Sequence, residues 1–141
     1  GGMTSGISLA VKDASPSTEM WAVEPEHFDD TRRSLERGAP VANEPGHTSI
    51  CDALLTPTPG DITLAINRQV LSGAVAVSEE AVRQAMREAM AHLKLVVEPG
   101  GSVGLAALLS GAVELRGRTV AVILSGGNVD ADVYAGILAE V

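Results

Sequence analysis

Short apolar runs and helical periodicities alternate along this chain. The apolar runs predict buried strands at 20–23, 74–78 and 119–125. Between the last two, apolar residues recur at three- and four-residue spacing, which predicts a helix with one apolar face made of Val82, Met86, Ala89 and Leu93. Similar reasoning predicts helices near 7–13, 62–71, 102–112 and 130–141, and a helical turn before Gly38.

The ends of these elements carry recognisable signals. Ser78 occupies an N-cap position, and Glu79 and Glu80 follow in the first helical turn, where carboxylates are favourable. Gly73 is expected to stop the preceding helix, and Glu98–Gly101 to break the chain. Residues 39–60 are rich in Pro, Gly and Thr and predict a long ordered loop or a broken helix, which is often functional.

Strands that are apolar throughout and alternate with helices are typical of a mostly parallel sheet flanked by helices. This is the α/β class. No linker, internal repeat or low-complexity tract divides the 141 residues. We therefore expect one domain with one core.

Composition narrows the functional classes. Aromatic residues make up only 2% of the chain, so its core is expected to be aliphatic, and the net charge of -8 argues against a nucleic-acid partner. The single cysteine, Cys51, cannot form an internal disulfide and is expected to be a small buried side chain. No apolar segment approaches the roughly 20 residues that span a bilayer, so we expect no membrane partner and a cytoplasmic location.

Polar residues follow the predicted strands where ligands of open α/β sheets bind. The run 119–125 ends in Ser125-Gly126-Gly127, and two glycines indicate a close backbone approach, which we expect to admit a flat, anionic cofactor beside Ser125. Gly1 and Gly2 precede a helix, so their amides could bind a phosphate. Each signal has an ordinary alternative: a strand-end hydroxyl bonded to backbone at Ser125, and a simple turn at the first glycines.

Taken together, five segments resemble a known family. "GGMTSGISLAVK", "WAVEPE", "CDALLTPTPGDIT", "HLKLVVEPGGSVGLAALLSG" and "VAVILSGGNVD" occur in the order and spacing of the C-terminal half of fold-type II pyridoxal-phosphate enzymes, in particular threonine/serine dehydratases and serine racemases. The resemblance covers essentially the whole chain. It implies that residues 1–141 are an incomplete cofactor-binding portion of the large domain of a tryptophan synthase β-like fold.

The resemblance implies cofactor contacts at six positions. Amides of Gly1, Gly2 and Met3 correspond to the end of the family's phosphate loop, and Glu98 corresponds to the glutamate near the cofactor ring. Ser125, followed by Gly126, corresponds to the serine that hydrogen-bonds the pyridine nitrogen. A neutral hydroxyl does not keep that nitrogen protonated, which makes the ring a weaker electron sink and suits elimination of water more than transamination.

The metal-dependent members of the family imply a second site. A hard cation there is bound by the Glu of "VEP", by a backbone carbonyl four residues later and by an acid two residues further, which are Glu24, Phe28 and Asp30. Such oxygen ligands suit Mg²⁺ or Ca²⁺. The alternatives are a solvated strand-end carboxylate at Glu24, and Asp29 and Asp30 capping a helix that begins at Thr31.

Two departures from the family pattern affect the functional prediction. The family's "ADG" segment reads Cys51-Asp52-Ala53 here, and the half that carries the Schiff-base lysine and the substrate-carboxylate loop has no counterpart in the chain. Lys12 and Lys94 fall in the last turns of predicted helices, where a cation complements the helix dipole. We therefore assign no catalytic residue to this chain, and expect a preceding segment or a second chain to supply the lysine.

The resemblance implies β-elimination of water from threonine or serine, giving a 2-oxo acid and ammonia. Serine racemase, a dehydratase of another hydroxy-amino acid, and a non-catalytic module that binds a phosphorylated ligand remain alternatives. A homo-oligomer is expected. The three histidines show no ligand spacing and are not assigned to catalysis.

Overall fold

A computed structural model describes residues 1–140 of this protein. In chain order it contains α1 (Gly2–Ala14), β1 (Trp21–Pro25), α2 (Asp30–Arg37), a 3₁₀ turn (Asp52–Leu54), α3 (Asp61–Val70), β2 (Gly73–Val77), α4 (Glu79–Glu88), a π-helical turn (Ala89–Leu93), α5 (Pro99–Ser110) and α6 (Ala131–Ala139). Strands β1 and β2 form a parallel two-stranded sheet, so the chain is α/β. No helix in residues 1–140 has both the length and the apolar character needed to cross a membrane.

The chain divides into two compact units rather than the single core expected. The first comprises Gly1–His47 and Thr56–Ala76, and the second comprises Thr48–Leu55 and Val77–Val141. The long segment 39–60 is an irregular loop with one 3₁₀ turn, and its residues 48–55 belong to the second unit. Composition does not reveal this division, because two of its boundaries fall inside the Pro-, Gly- and Thr-rich segment that the sequence predicts to be a loop within one domain, and the third falls within β2.

In the first unit, α1 packs on α3, and α2 packs on α3 and β1. Gly73 does not stop α3, which ends at Val70 with Leu71 at its C-cap. Gly73 instead begins β2, where a β-carbon would lie 2.5 Å from Cζ3 of Trp21. The glycine is therefore required by the indole that covers it from the neighbouring strand. The prediction that Gly38 ends α2 is confirmed, since Gly38 is its left-handed C-cap with φ +71.

In the second unit, α4 packs on α5 and α6. Ser78 caps α4 as predicted, because its hydroxyl accepts a hydrogen bond from Ala81 N at 3.2 Å. Val82, Met86 and Ala89 form the expected buried face. Leu93 is 51% exposed, contrary to the prediction, because the π-helical turn adds residues and rotates Leu93 away from that face.

Two further predictions in this unit are wrong. The helix α5 begins at Pro99, so Glu98–Gly101 does not break the chain; a proline fits the first turn of a helix. Residues 119–125 form no strand, since no segment within residues 1–140 pairs with them. A strand requires a hydrogen-bonding neighbour, and side chains of this segment such as Val120 and Ile123 are correspondingly exposed. The apolar run β2 is also only half-buried except at Val77.

Candidate functional site

The turn that follows residue 124 lies against the N-terminal end of α5. The backbone amide of Glu98, at the N-cap of α5, donates to the Gly126 carbonyl oxygen at 3.2 Å. The Glu98 carboxylate in turn accepts a hydrogen bond from Asn128 N at 3.0 Å. Glu98 also anchors its own helix, because its carbonyl oxygen accepts from Ser102 Oγ and Gly101 N, both at 3.0 Å. One half-buried residue thus fixes both the turn and the helix start.

Two glycines make this contact possible. Gly126 has φ +75, a conformation that residues with side chains rarely adopt, and a β-carbon there would collide with the Glu98 carboxylate. A β-carbon on Gly101 would collide with the Ser125 carbonyl oxygen. The glycines therefore admit the approach of protein atoms. Glu98 is the neighbour of Gly126 in the structure, and the approach of a cofactor at these glycines, which the sequence predicts, stays a prediction.

The side chain of Ser125 is held at the edge of this arrangement. Ser125 is half-buried, and Gly126, Gly127 and Asn128 after it are exposed. No residue within 1–140 forms a hydrogen bond with its hydroxyl, so the strand-end alternative, a hydroxyl bonded to backbone, is not what the structure shows. A positioned, accessible hydroxyl fits a planar ligand that offers one hydrogen-bonding atom, as a pyridine nitrogen does.

A second carboxylate orders the segment that departs from the family pattern. Glu79, in the first turn of α4, accepts one hydrogen bond from Ser49 Oγ and another from Ile50 N at 3.2 Å. Ser49 Oγ accepts from Cys51 N at 3.0 Å. The following 3₁₀ turn packs on α5, where Leu54 Cγ would lie 3.4 Å from a β-carbon on Gly100.

Cys51 is fully buried in this segment, as expected. Burial raises the pKa of its thiol from 9.0 to about 11, although a hydrogen bond with Ser49 opposes the shift. The neighbouring carboxylates Glu79 and Asp52 add to the increase. The thiol is therefore protonated at neutral pH and is a poor nucleophile.

The first residues of the chain form the N-terminus of α1 in the first unit. Gly1 is the N-cap, no side chain caps the helix, and Gly1, Gly2 and Met3 are exposed. Ser5 Oγ donates to the carbonyl oxygens of Gly1 and Gly2, so it does not occupy their amides. Free amides at a helix N-terminus are favourable for a phosphate, and phosphate binding by these residues stays a prediction.

Glu24, Phe28 and Asp30 lie together where β1 turns into α2, also in the first unit. Both carboxylate oxygens of Glu24 accept hydrogen bonds from the start of α2, from Thr31 N at 2.9 Å and Arg32 N at 2.8 Å. The Glu24 side chain thus caps α2. Asp29 occupies the N-cap position but forms no side-chain capping bond, so the alternative in which Asp29 and Asp30 cap a helix beginning at Thr31 is confirmed only for the position of Asp29. The helix begins at Asp30.

The electrostatics of these carboxylates differ. Burial raises the pKa of Glu24, against hydrogen bonds from Arg32 and Thr31, and the nearby Asp30 raises it further. Burial also raises the pKa of Asp30, against a hydrogen bond from Asn43. Burial acts in the same direction on Asp29, but hydrogen bonds from Arg32 and Arg33 outweigh it and lower its pKa.

These residues can accommodate a hard cation. No donor from another residue within 1–140 reaches the Phe28 carbonyl oxygen or the second carboxylate oxygen of Asp30. Among the described residues, the guanidinium groups of Arg32 and Arg33 form ion pairs with Asp29, and that of Arg32 also pairs with Glu36 rather than with Glu24 or Asp30. The described residues contain no group of three His, Cys, Asp or Glu side chains arranged for a metal, so any cation here depends on a backbone carbonyl or on water.

The remaining candidates have ordinary environments. Lys12 lies in the last turn of α1 and donates to the Pro16 carbonyl oxygen at 3.3 Å, whereas Lys94 caps the π-helical turn and donates to Ala91. His27 and His47 stack with ring centroids 4.0 Å apart beside a groove of about 450 Å³ in the first unit. His92 pairs with Glu88 on the surface.

Sequence reasoning missed Asn43 and Asn128. Asn128 contributes its backbone amide to Glu98, and Asn43 contributes its side chain to Asp30 at 2.8 Å. Both bonds join segments far apart in sequence, so no local spacing indicates them. An asparagine after "SGG" was visible, but its residue type does not matter for a backbone contact.

Residues 1–126 match the family model described as "Pyridoxal-phosphate dependent enzyme". The chain belongs to this family. The family's cofactor is pyridoxal phosphate, and the match confirms the resemblance drawn from the five segments.

Individual relatives agree with the family model. The chain is 39% identical over 138 residues to L-threo-3-hydroxyaspartate ammonia-lyase of Pseudomonas sp, covering 98% of this chain and 43% of that protein. It is 33% identical over 140 residues to serine racemase of Schizosaccharomyces pombe, covering 99% and 43%. It superposes on the crystal structure of serine racemase from Dictyostelium discoideum with a TM-score of 0.82 and 34% identity, covering 92% and 41%. The chain therefore spans less than half the length of each of these proteins.

Replacing Gly101 tests the packing of the Ser125 turn. In Gly101→Ala, the new methyl group must displace the Ser125 carbonyl, so we expect unfolding free energy to fall by about 2 kcal/mol or more in urea denaturation. Gly100→Ala is the matched control, because its methyl group meets Leu54 Cγ at an ordinary 3.4 Å. Equal stability of the two variants would contradict the described contact.

The buried thiol of Cys51 generates a pH prediction. A pKa raised from 9.0 to about 11 means that the thiol keeps its proton to a higher pH in the native state than in the unfolded state. The contribution of the protonated, buried Cys51 thiol to stability is therefore complete below pH 9 and is lost as the pH rises from about 9 towards about 11. We expect wild type to lose more stability than Cys51→Ala across this range in chemical denaturation. An identical pH dependence of the two proteins would show that the thiol is not shielded.

Proposed function

We propose that this chain is part of a pyridoxal-phosphate-dependent lyase that removes water from an amino acid bearing a β-hydroxyl group, giving a 2-oxo acid and ammonia. The observation that carries this proposal is the Ser125 hydroxyl, held by the Glu98 turn without a partner among residues 1–140. The substrate class is supported by relatives named for threo-3-hydroxyaspartate and threonine. Bound pyridoxal phosphate would supply the electron sink for loss of the substrate α-proton.

In the second unit, we propose that Ser125 Oγ hydrogen-bonds the pyridine nitrogen and that Glu98 and Gly126 lie beside the ring. Glu98 acts by keeping the Ser125 turn in place, through its bonds to Gly126 and Asn128. A hydroxyl partner leaves the ring nitrogen unprotonated, which moderates electron withdrawal and favours elimination. In the first unit, we propose separately that amides of Gly1, Gly2 and Met3 bind the cofactor phosphate, supported by their exposure at the uncapped start of α1.

Neither lysine of this chain is proposed as the Schiff-base residue. Lys12 and Lys94 each donate to a carbonyl oxygen three or four residues away along the chain. We propose that the lysine comes from another segment or a second chain of a cytoplasmic homo-oligomer, so that this portion alone is inactive.

Racemisation of serine is the second candidate, supported by the similarity to serine racemase. The two reactions share loss of the α-proton and differ in the next step, since a racemase returns a proton to the opposite face. Assaying the intact protein with L-serine for both D-serine and 2-oxo acid separates them.

A hard cation at Glu24, the Phe28 carbonyl and Asp30 is proposed as a structural site. Its support is the proximity of the half-buried Glu24 carboxylate to the buried Asp30 carboxylate, together with the two oxygens there that accept no bond from another described residue. Oxygen ligands of this kind suit Mg²⁺ or Ca²⁺. The cation would hold β1 against the start of α2.

The Ser125 contact is tested with Ser125→Ala in the intact protein. Loss of one hydrogen bond contributes about 1 kcal/mol, so we expect cofactor affinity to fall about fivefold, with slower elimination. Ser110→Ala is the control, because Ser110 Oγ bonds only to its own helix α5, at the Ala106 and Ala107 carbonyl oxygens. Normal turnover and an unchanged cofactor absorption spectrum in Ser125→Ala would remove Ser125 from the proposal.

The cation site is tested with Asp30→Ala. Mg²⁺ or Ca²⁺ is expected to raise the melting temperature of wild type and to have no effect on this variant. Asp61→Ala serves as the control, since Asp61 is also a first-turn helical acid but is exposed. A wild-type melting temperature that does not respond to either ion, at constant ionic strength, would argue against the site.

A further inference from the structure

Asn43 lies in the irregular loop 39–60, and it forms hydrogen bonds both with helix α2 and with the later part of the same loop. Its amide nitrogen donates to Asp30 Oδ1 and to the Thr56 carbonyl oxygen, both at 2.8 Å. Its amide oxygen accepts from Arg33 Nη2 at 2.6 Å, and its backbone nitrogen donates to the Pro57 carbonyl oxygen at 2.8 Å. All of these residues belong to the first unit.

The side-chain bonds of Asn43 leave its amide group little freedom. An amide nitrogen carries two hydrogens, and here one is directed to Asp30 and the other to Thr56. Any rotation that improves one bond weakens the other, because the group is planar and its oxygen is held by Arg33. The orientation of Asp30 and the position of the loop backbone are therefore coupled through one rigid group.

Asp30 is the member of the candidate cation site that this coupling reaches. Its side chain is buried, at 3% exposure, and the bond from Asn43 occupies one carboxylate oxygen. That bond decides which way the second oxygen points. A residue that orients a metal ligand in this way influences affinity without touching the ion.

We propose that Asn43 is a positioning residue that orients Asp30 for the cation and transmits occupancy of the cation site to the loop backbone at Thr56 and Pro57. This inference rests on the cation site proposed above. A bound cation stabilises one orientation of Asp30, which stabilises the Asn43 amide and hence both of its contacts with the loop. The same ion would then order part of residues 39–60.

A second contact of the same loop provides the matched control. Val41 N donates to Ser34 Oγ at 2.8 Å, which attaches the loop to α2 at a buried serine whose hydroxyl is not bonded to the Asp30 carboxylate. Ser34→Ala is expected to loosen the loop without affecting Asp30. It therefore separates general loosening from loss of coupling.

The test compares wild type, Asn43→Ala and Ser34→Ala as intact, cofactor-loaded proteins. Affinity for Mg²⁺ and Ca²⁺ is measured by calorimetry, and hydrogen–deuterium exchange of residues 39–60 is followed with and without each ion at matched ionic strength. In wild type the ion should slow exchange in the loop. In Asn43→Ala, affinity for the ion should fall roughly tenfold. Exchange in the loop should then be equal without ion and at saturating ion. Ser34→Ala should exchange faster but retain the ion-dependent slowing.

The outcomes that differ from these expectations refute either the role of Asn43 alone or the cation site as well. Ion-dependent slowing that persists in Asn43→Ala, or wild type that binds the ion without slowing of the loop, would refute the role of Asn43 and leave the cation site intact. Absence of binding to wild type would refute both, while leaving the Ser125 contact untouched. If Asn43→Ala does not fold, Asn43→Ser, which cannot reach both Asp30 and Thr56, is measured with the same expectation.

Discussion

The contact between Glu98 and the turn at Gly126 is the constraint on which the candidate site depends. Glu98 binds the turn through its backbone amide and its carboxylate, and it also begins α5. Its approach is possible only because residues 101 and 126 have no side chains. This contact fixes the turn after the half-buried Ser125, whose residues 126–128 are exposed.

The same chemistry recurs at two other glutamates. Glu24 accepts two backbone amides from the start of α2, and Glu79 accepts a hydroxyl and an amide from the segment around Ser49. In each case a carboxylate joins its own segment to the backbone of another. Charge-assisted bonds of this kind are stronger than neutral ones and directional, so they can order irregular segments that a small aliphatic core does not reach. Part of the excess of acidic residues therefore has a structural role within each unit.

Sequence reasoning was reliable where the cause of structure is local. The Ser78 cap, the Gly38 stop and the face formed by Val82, Met86 and Ala89 depend on residues within a few positions of one another, and all are confirmed.

Sequence reasoning failed where the structure of a segment depends on something beyond its own local pattern. Residues 119–125 have the composition of a strand but no pairing neighbour in the described chain. Gly73 is required because the Trp21 indole covers it, and Leu93 is rotated away from the buried face by a π-helical turn. The glycines of "SGG" permit a close approach, and the structure adds what the motif does not indicate, namely that the neighbour of Gly126 is Glu98, from a distant part of the sequence. The family motifs named Ser125 and Glu98, but they did not indicate that Glu98 fixes the turn after Ser125 through Gly126 and Asn128.

The central claim is that an alcohol, and not an acid, contacts the cofactor's ring nitrogen. The most direct measurement is the ¹⁵N chemical shift of pyridoxal phosphate labelled at the pyridine nitrogen and bound to the intact protein. The account predicts the shift of an unprotonated, hydrogen-bonded pyridine throughout the neutral pH range. A shift characteristic of a protonated pyridinium would contradict it, because Ser125 cannot stabilise that charge.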